Sequence, residues 1–422
     1  MQNEKELLKS LIDILSDLRL GLQNILSGIE NLEEGIKKLE EGFLGKGLVL
    51  EKKEILEEKP LKIEEKTEEE KLEKALKPEP ELKIEPETEF KTERISLTGY
   101  RPLSERAKSI PEDLYKEITT EKIKEVVIGK GEKVLKIGGE NILPFYWFEG
   151  SMGNGIKIAM EILDVKPEDW PEGFAKYFSD VFHDPALWAK KCVEEFRAEA
   201  ICLYLQGTDP NYLNLDAEHA KKVVKRVVDS VDVPLIVWGS GNSEKDTEIL
   251  KEISEIIGER GVAIGPVLDT NYRTLSAVAM GYNLPVIAST PIDVNLAKQL
   301  NILLENMGLS LDKIIIDPSI GALGYGIEYA YSVMERIRIA ALYYKDTALQ
   351  SPFVCAIGRE VWSTKEVQLP SDEIFGDQET RGILMEAITA IVLALAGGDL
   401  LIMRHPKAIE LCKTFFESLS EN

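Results

Sequence analysis

The sequence predicts an α/β fold: a (β/α)8 TIM barrel preceded by an N-terminal coiled-coil helix and a disordered charged linker. Three observations lead there. An apolar seam steps by threes and fours through the first 45 residues. A highly charged, proline-broken stretch follows it. Beyond that, eight short apolar runs alternate with helix-patterned segments over about 260 residues, the rhythm of repeated strand-helix units.

The seam comprises Leu8, Leu11, Leu15, Leu18, Leu22, Ile25, Ile29, Leu32, Ile36, Leu39 and Phe43. This stepping keeps one apolar stripe turned to a partner helix under a left-handed supercoil. A surface helix packing on its own domain is the alternative. The mixture of Leu and Ile leaves the strand number open, so association is either with itself or with a partner. Residues 51–95 then hold eleven Lys/Arg, sixteen Asp/Glu and Pro60, Pro78, Pro80 and Pro86. So polar a segment buries too little to offset the entropy of ordering. The expected organisation is a coiled-coil helix over 1–45, a flexible charged linker over 46–95, a lead-in with a hairpin over 96–150, and the barrel over 151–422.

The apolar runs are 157–163 (KIAMEIL), 200–205, 233–238 (VPLIVW), 262–268, 285–289, 313–317 (KIIID), 352–357 and 399–403 (DLLIM). They are nearly all apolar, as strands covered on both faces must be. Helical patterns fill the gaps, among them 216–230, 243–258, 273–281, 295–307, 327–344 and 379–396. An open doubly wound sheet is the competing arrangement. The piece 133–148 (KVLKIGGENILPFYWF) is expected to form a hairpin closing the bottom of the barrel.

Charge and cysteine usage exclude several function classes. A net charge of −23 opposes binding to nucleic acid or to anionic membranes, both of which need clustered basic residues. No apolar run has the length of a membrane span, and the N-terminus lacks the order of a signal peptide; a cytoplasmic protein is expected. Cys192, Cys202, Cys355 and Cys412 include no C-x-x-C pair, so no iron–sulfur cluster is expected in this chain. His183, His219 and His405 lie too far apart for zinc-type spacing.

Chemistry in such a barrel sits at the C-terminal ends of the strands. Those ends read Glu161 and Asp164; Gln206, Asp209 and Asn211; Gly239 to Asn242; Asp269, Thr270 and Asn271; Ser289, Thr290, Asp293 and Asn295; Asp317, Ser319 and Gly321; Arg359 and Glu360; Arg404 and His405. Each also has a structural reading. Asp and Asn after a strand cap helices, Asp317-Pro318 starts a turn, and His405-Pro406 enters a helix. Taken together, the amides, hydroxyls and carboxylates suit a neutral, hydrogen-bonding ligand. No nucleophile–base pair and no metal cluster stand out.

Long ordered motifs carry a resemblance. PFYWFEGSMGN (144–154), DPALWAKKCVEEF (184–196), WGSGNSEKD (238–246), DPSIGALGYGIEY (317–329), PFVCAIGREVWSTKE (352–366), GDQETRGILMEAITA (376–390) and LIMRHPKA (401–408) resemble the delta subunit of the acetyl-CoA decarbonylase/synthase (CO dehydrogenase/acetyl-CoA synthase) complex. The bacterial counterpart is the small subunit of the corrinoid iron–sulfur protein. The resemblance spans about 97–418. It implies a barrel subunit in heterodimer with a larger corrinoid and iron–sulfur subunit (gamma), with a cobamide covered between the two. That pair carries a methyl group from methyl-tetrahydropterin or tetrahydrofolate, delivered by a methyltransferase, to acetyl-CoA synthase in reversible acetyl-CoA synthesis and cleavage, the one-carbon chemistry of the Wood–Ljungdahl pathway. The barrel would cap the partner's corrinoid and maintain complex architecture without being catalytic alone.

A fainter likeness joins LDTNYRTLSAVAMGYNLPVIAST (268–290) and IIIDPSIGALG (314–324) to pterin-binding barrels of the dihydropteroate synthase type. Asp269, Asp317-Pro318 and Gly321 match that pattern, whereas Ser289-Thr290 stand where it has Asn-Asp. This is the alternative function, a methyltransferase binding methyl-tetrahydrofolate directly. Candidate cofactor-binding residues are Asn242, Asp269, Asn271, Ser289, Thr290, Asp293, Asn295, Asp317, Ser319 and Gly321.

Overall fold

A computed structural model describes residues 110–318 and 321–420. The seam, the charged linker and Ser319 lie outside the described residues. Ten strands are described: β1 Val126–Ile128, β2 Leu135–Ile137, β3 Lys157–Leu163, β4 Ile201–Tyr204, β5 Leu235–Trp238, β6 Ala263–Val267, β7 Val286–Ser289, β8 Ile314–Asp317, β9 Phe353–Ala356 and β10 Gly398–Met403. The last eight are parallel and close in the order β10-β3-β4-β5-β6-β7-β8-β9. The closing pair sets Leu401 beside Ile158 and Met403 beside Met160. The barrel expected from the repeated units is therefore present, and the open sheet is not.

One long helix follows each barrel strand: α1 Pro185–Glu194, α2 Ala217–Ser230, α3 Ser243–Gly258, α4 Tyr272–Tyr282, α5 Val294–Asn306, α6 Ile327–Leu342, α7 Gln378–Leu395 and α8 Pro406–Ser420. Local chemistry sets several of their starts. Asp184 accepts from the N–H of Ala186 with Pro185 at the first helical position, Asp216 accepts from His219, and Asp377 accepts from Thr380. Such caps satisfy N–H groups that the helix leaves unpaired. Helix α2 buries Ala220, Val223, Val224, Val227 and Val228, a 3.6-residue stripe. Each buried valine stabilises by roughly 1.5–3 kcal/mol.

Strand alternation splits the core in two. Ile158, Met160 and Ile162 point outward into the shell shared with the helices. Ala159, Ala200, Cys202, Ile236, Ala263, Ile287, Ile315, Val354 and Leu400 fill the lumen. The hairpin joins that lumen core through Val126, Ile128, Leu135 and Ile137. Its backbone is tied to the segments entering β6 and β9 by Gly129 N–H to Gly261 O (2.8 Å) and Lys124 N–H to Gln350 O (2.8 Å). The hairpin thus plugs the N-terminal end, but over 126–137 rather than 133–148. Only Leu135–Ile137 of the expected piece is strand. The apolar run 144–148 is instead a turn whose Tyr146, Trp147 and Phe148 face solvent; its apolar character alone suggested burial there.

Near the same end lies a buried ionic cluster. Arg338 of α6 is fully buried and pairs with Asp399 of β10 and, at 3.0 Å, with Glu140 of the lead-in. It also donates to Gly397 O (2.8 Å) and Ser351 O (3.2 Å) and lies 3.9 Å from the Phe353 ring centroid. Asp399 accepts in addition from the Phe353 N–H at 2.6 Å. One guanidinium faces two carboxyls, and burial followed by the neighbouring Asp399 charge pushes the Glu140 carboxyl up. Glu140 therefore keeps its proton well above the usual carboxylate range.

Arg338→Met should destabilise the barrel by roughly 3–5 kcal/mol at neutral pH, the cost of stranding a buried charge. The loss should shrink as pH is lowered to 5, because burial raises both carboxyls and so favours their uptake of protons. Urea denaturation of wild type and variant at the two pH values checks this.

Candidate functional site

The C-terminal ends of the strands surround a cavity of about 570 Å³. Tyr204, Trp238, Pro266, Leu268, Leu296, Leu300 and Leu303 form its apolar lining, and Ser240, Asp269, Ser289, Thr290, Gln299, Asp317, Arg359 and Glu360 supply polar groups. Volume and mixed lining are those of a binding cleft.

Its framework begins with Glu161. On β3 the lumen-facing position after Ala159 is Glu161, whose side chain is fully buried. Arg359, just beyond β9, donates Nε to Oε2 at 2.9 Å and adds a second contact through Nη2. Arg404, just beyond β10, donates Nε to Oε1 at 2.7 Å and approaches equally closely through Nη2. One carboxylate thus fixes two guanidiniums, and the trio carries one surplus positive charge. Arg359 is further held between two aromatic faces, 4.2 Å from the Tyr204 centroid and 4.5 Å from that of Trp238. These contacts favour a planar cation. The Glu161 charge raises the Arg359 pKa against the lowering effect of burial, so it remains a cation at the cavity floor.

Two acids hold the loops around that floor. Asp246 of α3 accepts from the Ser240 N–H (2.7 Å), the Ser240 hydroxyl (2.9 Å) and the Gly241 N–H (2.8 Å). A Cβ on Gly239 would stand 2.5 Å from the Asp246 Cγ, which is why glycine opens that turn. Burial moves Asp246 up to about 6, against these hydrogen bonds, which lower it. Glu360 accepts from the N–H groups of Gly321 (2.8 Å) and Leu323 (3.2 Å) and so secures the loop after β8. Burial raises its pKa, the two N–H donors lower it, and the Asp317 charge raises it further.

The sequence candidates divide into two groups. Asp269, Ser289, Thr290 and Asp317 all line the cavity. The Ser289 hydroxyl donates to Asp317 Oδ2 at 3.0 Å, and the buried Thr290 hydroxyl has no hydrogen-bond partner. The others serve the backbone or lie elsewhere. Asn242 caps α3 by accepting from Lys245 N–H (3.0 Å), and Asp293 caps α5 by accepting from Asn295 and Leu296. Asn271 Oδ1 accepts from Leu268 N–H (2.7 Å), while its buried Nδ2 is unpartnered. Asn295 is exposed on α5 outside the lining. Gly321 adopts a left-handed φ of 72° at the turn that Glu360 secures. Missing from the candidates were Tyr204, Trp238, Arg359 and Glu360. The aromatic pair looked like ordinary strand residues; the signal for them was their lumen register, one alternation beyond Cys202 and Ile236.

No group of three or more His, Cys, Asp or Glu is placed to hold a metal ion among the described residues. The four cysteines are buried, and burial raises Cys192, Cys202 and Cys412. His405, packed with Phe174, Tyr177 and Trp362, is depressed to about 3 by burial and is neutral.

Residues 125–414 match the family model described as CO dehydrogenase/acetyl-CoA synthase delta subunit. The chain is 37% identical over 328 residues to the acetyl-CoA decarbonylase/synthase complex subunit delta of Archaeoglobus fulgidus, covering 74% of this chain and 71% of that protein. It is 38% identical over 321 residues to subunit delta 1 of Methanosarcina thermophila, covering 72% of each. Among solved structures, a dihydropteroate synthase of Coxiella burnetii in complex with pteroic acid matches with a TM-score of 0.44 and 15% identity, over 64% of this chain and 95% of that one.

Glu161→Gln should cost roughly 3–5 kcal/mol of stability, because two buried guanidiniums lose their counter-charge; guanidinium chloride denaturation reads this. Asp246 predicts a pH slope. Its folded pKa of about 6 exceeds the ordinary aspartate value of 3.8, so between these values the folded chain holds a proton that the unfolded chain has released. Its contribution to stability therefore falls as pH rises through that window. Asp246→Asn should flatten this part of the stability–pH curve, measured by thermal unfolding across roughly pH 4–7.

Proposed function

The chain belongs to the CO dehydrogenase/acetyl-CoA synthase delta-subunit family, and from that premise we propose that it is the barrel subunit of a methyl-carrying corrinoid assembly. Its mouth caps a corrinoid held by a larger partner subunit, within a complex that makes and cleaves acetyl-CoA. The observation that carries this reading is the composition of the mouth. Around the Arg359 cation of the floor stand apolar walls, small hydroxyls and the Gln299 amide, and the buried Thr290 hydroxyl lacks a partner.

These residues fit a corrinoid's edge. A cavity of about 570 Å³ admits a small molecule or one face of a macrocycle, and it is too small to enclose a cobamide with its appended nucleotide. The ring would lie across the rim. Ser240, Thr290 and Gln299 would meet its amide arms, with Trp238 and the leucines of α5 beneath. A bound corrinoid supplies a cobalt centre that accepts and releases a methyl group. This chain's part is to exclude water from that face and to hold the ring level through groups pinned by Glu161, Asp246 and Glu360. Methyl transfer needs an uncovered face, so the cap must also move aside.

The size of the cavity also favours a second reading. A bicyclic pterin would fit wholly inside it, with Asp317 and Ser289 at one edge and the Arg359 guanidinium at another. In that reading the barrel binds methyl-tetrahydrofolate itself.

Fluorescence separates the two. Trp238 lines the mouth, so cobalamin bound to the assembly of this chain and its larger partner should quench a component that Trp238→Phe removes. The isolated chain should show no saturable response to methyl-tetrahydrofolate at micromolar concentration. A saturable micromolar response of the isolated chain would replace the first reading by the second.

A further inference from the structure

Arg359 has more hydrogen-bond donors than the fold uses. A guanidinium carries five N–H groups in a rigid fork. Two of them go to Glu161, through Nε and Nη2, and a third reaches the buried Cys202 sulfur. That leaves two of the five without an acceptor among the described residues, on a side chain that is 18% exposed and lines the cavity. Thr290 adds another unused group. The residue is 5% exposed, lines the same cavity, and its hydroxyl has no partner. A buried hydroxyl left unpaired costs stability, so its place is explained by a group that arrives with a ligand.

Acceptors stand beside these donors. Glu360 follows Arg359 in the chain and also lines the cavity. Its two oxygens take one N–H each, from Gly321 and Leu323, and each keeps a lone pair for a further donor. Asp317 brings a second carboxylate to the lining. Burial raises the Glu360 pKa and its two N–H donors lower it; beyond these, the Asp317 charge raises it and the Arg359 charge lowers it. The three side chains are therefore close enough to act on one another. The trio of Glu161, Arg359 and Arg404 has one surplus positive charge, and two carboxylates already face it. A ligand group that uses both sets must accept on one side, donate on the other and bring no negative charge. A primary carboxamide does so: its oxygen accepts from Arg359 and Thr290, and its NH2 donates to Glu360. A carboxylate of the same size has no N–H to donate, and it would set a third negative charge beside Glu360 and Asp317.

We propose that Arg359, Thr290 and Glu360 form a carboxamide clamp that takes an amide arm of the corrinoid and rejects the corresponding acid. The inference rests on the capping reading of the preceding subsection and adds the chemistry by which the mouth selects a fully amidated ring. The clamp is built before any ligand arrives. Glu161 and the Tyr204 and Trp238 rings fix Arg359, and two backbone N–H groups fix Glu360, so little freedom is lost on binding. A buried polar site of this kind discriminates sharply, because the wrong group leaves its donors or acceptors unpaired.

The test titrates the corrinoid-free assembly of this chain and its larger partner, with quenching of Trp238 fluorescence as the readout. The ligands are cobalamin and the cobalamin monocarboxylic acids, in each of which one propionamide arm is hydrolysed. At neutral pH, wild type is expected to bind at least one of these acids about tenfold more weakly than cobalamin. Glu360→Gln removes a negative charge with little change of shape, and it is expected to bind that acid within about threefold of cobalamin. Thr290→Val is expected to weaken cobalamin about fivefold while thermal unfolding of the free chain is unchanged or raised, because the lost hydroxyl had no partner in the fold. A hydroxyl with a purely structural role would show the reverse. The inference is overturned if wild type binds every acid as tightly as cobalamin or more tightly. It is equally overturned if the discrimination survives undiminished in Glu360→Gln, which would assign it to the partner, or if Thr290→Val binds cobalamin like wild type. If cobalamin leaves the Trp238 fluorescence of the wild-type assembly unchanged, the capping reading falls and the clamp with it, a result distinct from equal binding of amide and acid.

Discussion

One carboxylate organises the mouth of this barrel. Glu161 sits on the first barrel strand, and the two guanidiniums that it binds come from 198 and 243 residues further along the chain. The contact spans the seam where β10 meets β3, so it forms only when the cylinder is closed. A buried ion pair of this kind rarely adds net stability relative to an apolar substitute. What it supplies here is position. Arg359 is set against Tyr204 and Trp238 with its plane fixed, and the cavity floor acquires a cation that cannot swing away.

The other polar contacts of the mouth depend on that fixed floor. Glu360 follows Arg359 in the chain, and its carboxylate holds the loop after β8 through Gly321 and Leu323. Asp246 does the equivalent for the turn after β5. The acids are thus spent on backbone N–H groups, while the Thr290 hydroxyl is left unpartnered. A surface that presents hydroxyls and apolar faces around one held cation suits a broad hydrogen-bonding ligand edge. At the opposite end, Arg338, Asp399 and Glu140 form a second buried ionic knot beside the hairpin plug. The polar groups of the two ends are therefore disposed differently: those at the bottom pair with one another, while several at the top face the cavity.

Much of this was legible in the sequence, and the misses have physical reasons. Strand runs were found because parallel strands buried on both faces must be apolar throughout. Asn242 and Asp293 were ambiguous because one side chain type serves both ligands and helix starts; in the fold both are caps. The hairpin was placed too late in the chain because the 144–148 run is apolar yet exposed. Glu161, Arg359, Glu360 and Arg404 were visible as strand-end residues, but a pairing across some two hundred residues leaves no periodic trace. Tyr204 and Trp238 resemble core residues because their rings do bury most of their surface; only register decides that they face the lumen.

The amino-acid order alone determined the number of strand-helix units, their parallel burial and the family, since each depends on local periodicity or on long ordered motifs. Tertiary structure decided which of the polar strand ends converge, which carboxylates are consumed by backbone donors, and that an apolar helix, α7, lies on the outside. Those outcomes depend on closure of the cylinder, which brings together groups whose separation along the chain carries no signal of their meeting.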